Sequence, residues 1–119
     1  MSALAPLPRE QIDYTWVLTL QLNRVAELST ELWKPGGLDR YKLRAVIGAV
    51  WTLYRMVRPI ITKYKLPDYD ETFERLVAAM ERERGLRNIW KKAMEILEEI
   101  VRALHAEGLL IRESRVLEA

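Results

Sequence analysis

A chain of 119 residues, half of them hydrophobic and 30% charged, has room for one domain that buries roughly two-thirds of the surface its unfolded form exposes. The absence of cysteine excludes disulfides, thiolate metal sites and thiol nucleophiles, and fits a reducing interior. The net charge of +2 hides an uneven distribution: residues 40–67 carry seven basic side chains and no acidic one, whereas residues 1–39 and 68–119 are each net acidic.

Pro6 and Pro8 make residues 1–8 an irregular lead-in, with Pro8 suited to the first helical position. Met1–Pro6 lacks the basic and long apolar stretches of a secretory signal. The longest uncharged runs, residues 14–23 and 45–54, are half the length of a membrane span. A soluble, cytoplasmic protein is expected. The low Asn, Gln and Gly content beside abundant Arg and Glu leans toward a heat-adapted composition.

Residues 22–33 show helical spacing, with Leu22, Val25, Leu28, Leu32 and Trp33 on one side and Arg24, Glu27 and Glu31 facing away. Residues 12–22 are ambiguous. Ile12, Tyr14, Trp16, Leu18, Leu20 and Leu22 alternate with mostly polar residues in a period-two pattern, while a helix there would be apolar nearly all round. A lone strand needs a partner, and only the short tail 109–117 offers one. Helix is therefore preferred, with an α+β arrangement of these two segments as the alternative.

Pro35-Gly36-Gly37 is a loop, and Asp39 caps a second helix over residues 39–65, kinked at Pro59. The apolar arc of that helix is wide enough for a central position or a subunit contact. Leu66-Pro67 ends it. Asp68 and Glu71 resemble a capping box for a third helix over 69–84, with Phe73, Leu76, Val77 and Met80 inward and Gly85 closing it. A fourth helix over 87–107 carries a stripe of Trp90, Ala93, Met94, Leu97, Ile100, Val101 and Leu104, and ends at Gly108. Residues 109–119 form an extended tail.

The basic segment is the strongest functional signal. On one helix, Arg44, Arg55 and Arg58 fall on a common face with Trp51 between them, and Lys63 and Lys65 follow. Cations on phosphates and an indole for stacking suit DNA or RNA bound without much sequence preference. The competing reading pairs these arginines with carboxylates of neighbouring elements. The segment Ile100–Glu113 resembles the end of a winged-helix recognition helix running into its wing, which implies nucleic-acid binding. Arg102 and His105 lie closer together than the Arg–His motif of the HEPN-type helical ribonucleases, so that activity is not implied.

Nothing else names a reaction. His105, the one histidine, suits the carbonyls at a helix C-terminus. Glu27 with Glu31, and Glu95 with Glu99, share helix faces that read as solvated. Trp16, Trp33, Trp51 and Trp90 read as core anchors, one of which could mark an interface. The expected protein is an all-α four-helix bundle with no metal, cofactor or catalytic residue. It acts as an assembly or adaptor module, as a homo-oligomer or a subunit of a larger assembly, through Trp16, Leu18, Leu20, Val50 and Tyr54. Nucleic-acid binding through Arg44, Trp51, Arg55, Arg58, Lys63 and Lys65 is the alternative.

Overall fold

In a computed structural model, residues 9–32, 38–82 and 85–109 are described, with side chains of the first helix described from Trp16 on. They form four α-helices and, among the described residues, no strand. The helices are α1 (Arg9–Leu32), α2 (Arg40–Val57), α3 (Asp70–Met80) and α4 (Leu86–Ala106), with a 3-10 turn, Arg58–Ile60, directly after α2.

α2 lies at the centre and touches the other three helices. α3 and α4 also touch each other, whereas α1, among the described residues, packs on α2 alone. This explains the wide apolar arc. Leu43, Val46, Ile47, Val50, Leu53 and Val57 are all buried, because α2 meets neighbours on more than one side. Each such side chain contributes about 1.5–3 kcal/mol relative to remaining in water. Asp39 caps α2 as expected, its Oδ1 accepting from the Tyr41 and Lys42 amides at 2.8 and 3.0 Å.

Pro59 does more than kink this helix: α2 stops at Val57. Proline has no N–H to offer and its ring crowds the preceding turn, so the chain tightens into the 3-10 turn and then extends. Lys63 and Lys65 therefore lie on the connection 61–69, off any helix.

The ambiguous segment 12–22 is helical throughout, inside α1. Its two-sided apolarity has a plain cause. Leu18 and Leu22 are buried against α2, continuing to Val25 and Leu32, while Trp16, Val17 and Leu20 point outward. Gln21 ties the two helices, its Nε2 donating to the Ala49 carbonyl at 2.9 Å. Trp33 and the tail from residue 110 fall outside the described residues.

The other boundaries shift slightly. Asp68 precedes the α3 cap by one residue, its Oδ1 accepting from Asp70 N at 3.1 Å, and the cap is Tyr69 without a side-chain bond. α3 ends at Met80, earlier than Gly85, which instead opens α4 in the left-handed conformation at φ 62°. Gly108, at φ 69°, closes α4: its amide bonds to His105 O and that of Leu109 to Leu104 O, the paired bonds of a Schellman end. The buried stripe of α4 is also rotated from the expected one. Ile89, Ile96 and Ala103 join Ala93, Leu97, Ile100 and Leu104 inside, leaving Trp90, Met94 and Val101 half-buried at the margin.

Candidate functional site

Part of the basic segment, around Arg55 and Arg58 at the end of α2, is engaged by its own molecule. Asp70, the first residue of α3, accepts from Trp51 Nε1 at 2.8 Å and lies 3.6 Å from Arg55 Nε. Trp51 is stacked on Phe73 at 5.4 Å between centroids, and the Arg55 guanidinium covers its ring at 4.6 Å. A base could stack on this indole only if Arg55 moved off the ring. Arg58 lies 3.5 Å from Asp68 and donates to the Tyr54 hydroxyl. The amide of Asp70 first, and then Arg58 and Tyr54, hold the Asp68 carboxyl below the usual carboxylate range.

Tyr54 is the anchor of this arrangement. Its hydroxyl has one proton and two lone pairs. It accepts from Arg58 and from the Tyr69 amide at 2.9 Å, and its proton faces the Pro67 carbonyl and Asp68 Oδ1, both at 3.3 Å. The connection after α2 is thereby folded back over the helix, which brings Asp68 and Asp70 to Arg58 and Arg55.

Lys42, Arg44, Lys63 and Lys65 make no ion pair among the described residues. They do not form a ridge. Arg44 lies along α2 near Gly48, and the fourteen residues separating it from Arg58 span about 21 Å at 1.5 Å per residue. Lys63 and Lys65 lie beyond that far end, on the connection.

The interface residues expected from sequence divide cleanly. Leu18, Val50 and Tyr54 are at most 1% exposed and belong to the core of the single chain, so they have no surface to offer. Trp16 and Leu20 are 60% and 49% exposed, and Val17, overlooked in the alternating pattern, is 40% exposed beside them. At helical spacing 16, 17 and 20 adjoin on one face, and that spacing was the available signal for Val17. Next to them an open groove of about 530 Å³ runs between α1 and the end of α2. Val17, Leu20 and Met56 supply its apolar lining, and Gln21, Arg24 and Glu27 its polar rim.

His105 is exposed in the last turn of α4. Glu95 pairs with Lys92 at 3.7 Å, and Glu99 accepts from Arg102 and the Tyr64 hydroxyl at 3.2 and 3.0 Å. Among the described residues no cluster of three or more His, Asp or Glu could hold a metal ion, and no helix is long and apolar enough to cross a membrane. Comparison with protein-family profiles, characterised proteins and solved structures found no match to this chain.

Proposed function

We propose that this chain is a non-catalytic helical assembly module that pairs with a second copy of itself through the outer face of α1. One observation carries the reading: among the described residues α1 packs on a single neighbour, and three of its large apolar side chains, Trp16, Val17 and Leu20, are exposed on adjoining turns. Contiguous exposed apolar surface of this kind marks an interaction site.

Self-pairing suits the pattern of that face. An antiparallel two-fold passing midway between Val17 and Leu20 would set Val17 of one copy against Leu20 of the other. It would also lay each Trp16 beside Gln21 and Arg24 at the other copy's groove, where the guanidinium can cover the indole. A face one helix wide falls at the small end of stable interfaces, so a dissociable dimer is expected rather than an obligate one. Light scattering over a concentration series tests this: mass should rise with concentration, barely respond to salt, and stay monomeric when Trp16 and Leu20 are both serine.

Lys42, Arg44, Lys63 and Lys65, which make no ion pair among the described residues, favour a second reading, sequence-tolerant binding of DNA or RNA. The ion pairs of Arg55 and Arg58, and the contacts already made by the Trp51 ring, weaken it. Arg44, Lys63 and Lys65 remain as phosphate contacts. Three such contacts would lose roughly fortyfold in affinity between 50 and 200 mM salt, which a gel-shift titration reads directly. No retained oligonucleotide at low salt ends that reading.

A further inference from the structure

Three consecutive backbone N–H groups on the connection after α2 converge on one carboxylate oxygen. Glu107, at the end of α4, brings its Oε2 to 2.9 Å from the Thr62 nitrogen and 3.3 Å from that of Tyr64, with a closer contact to Lys63 between them. Thr62 Oγ1 donates to the other oxygen, Oε1, at 3.3 Å. Successive amides aimed at one point make a concave, positively polarised surface suited to an anion. The amides, that of Lys63 first, hold the Glu107 carboxyl below the usual carboxylate range. An open groove of about 280 Å³ adjoins the same turn, lined by Arg58, Thr62, Tyr64 and Lys65 over Ile61 and Leu66.

We infer that residues 62–64 form an oxyanion-binding site of the phosphate class, and that Glu107 is its built-in, displaceable ligand. The positive charge around the turn exceeds what one carboxylate balances. Lys63 and Lys65 make no ion pair among the described residues, so positive charge remains beside a loop already filled by a single negative one. A phosphate, with more charge and more acceptor oxygens, engages these donors more completely. Glu107 is tethered, so it competes at high effective concentration and keeps the site closed to dilute anions. An anion that takes the amides releases the end of α4 from the connection.

The loop does not depend on Glu107 alone. The Tyr64 hydroxyl donates to Glu99, Leu66 is buried, and the Tyr54 hydroxyl receives the Tyr69 amide. Removing the carboxylate should therefore leave the donors assembled and vacant.

The test is a titration of the full chain with inorganic phosphate at constant ionic strength, balanced with sodium chloride, followed through the amide resonances of Thr62, Lys63 and Tyr64. Glu107→Ala should bind phosphate at least tenfold more tightly than the wild type, with saturable shifts at those three amides. Acetate should bind it more weakly than phosphate. No saturable shift in Glu107→Ala, or equal affinity in variant and wild type, would overturn the assignment. Acetate binding as tightly as phosphate would overturn the phosphate class. If Glu107→Ala does not fold, Glu107→Gln keeps the side-chain shape without the charge, and the same criteria apply to it.

Discussion

The two flanks of α2 are built differently. On the α3–α4 flank, aromatic rings interlock and two of the arginines of α2 and its turn meet carboxylates: Trp51 on Phe73, Tyr54 beneath Tyr69, Asp70 and Asp68 beside Arg55 and Arg58, and Glu107 on the amides of the connection. On the α1 flank, one helix rests on α2 through Leu18, Leu22, Val25 and Leu32, and its far side presents Trp16, Val17 and Leu20 to water. The first flank is closed by contacts within the chain. In the proposed pairing the second is half of an interface, and the contrast between the two is what the following variants test.

Breaking the complete flank should cost folding energy and leave association alone. Phe73→Ala removes the ring that Trp51 and Tyr54 pack against and should cost about 3–5 kcal/mol in urea denaturation. Tyr54→Phe keeps the buried ring and removes a hydroxyl with four polar neighbours. The Tyr69 amide is left without its acceptor, at a cost of about 1–3 kcal/mol. Asp39→Ala, which frees two amides at the start of α2, should cost about 1 kcal/mol by the same measurement. A protein whose mass distribution also changed in these variants would blur the contrast between the flanks.

Acid should act on the same flank. Asp68 and Glu107 are both held below their ordinary values, so the unfolded chain takes up protons before the folded one. Their contribution is present above the ordinary carboxylate range and is lost as pH falls through the depressed folded values. Thermal melts from neutral to acid pH should show this decline, and Glu107→Gln should flatten part of it.

Much of the fold was legible. Helical spacing at Leu22, Val25 and Leu32, the Asp39 cap and the Gly108 stop each rest on a local rule, and local rules can be read along a chain. The neutralisation of Arg55 and Arg58 was less accessible. It requires the connection to fold back over α2 through Tyr54, thirteen to fifteen residues away from Pro67, Asp68 and Tyr69. The one hint was the cluster Asp68, Asp70 and Glu71 immediately after the basic segment. Glu107 was beyond reach, because its partners are backbone amides 43–45 residues distant and no side-chain pattern encodes them. The outward face of α1 was obscured by an accident of order: alternation at 16, 18, 20 and 22 mixes two inward residues with two outward ones.

The incomplete flank gives the smallest folding effect and the largest change in assembly. Replacing Trp16 and Leu20 together by serine should move stability by only about 0.5 kcal/mol, as for other exposed positions. Sedimentation equilibrium of wild type and this double variant, from micromolar to near-millimolar protein, decides the matter. The wild type should climb from 14.0 kDa toward twice that mass while the variant stays at the protomer value. A wild type that remains a protomer throughout, or a variant that associates as the wild type does, would contradict pairing through α1.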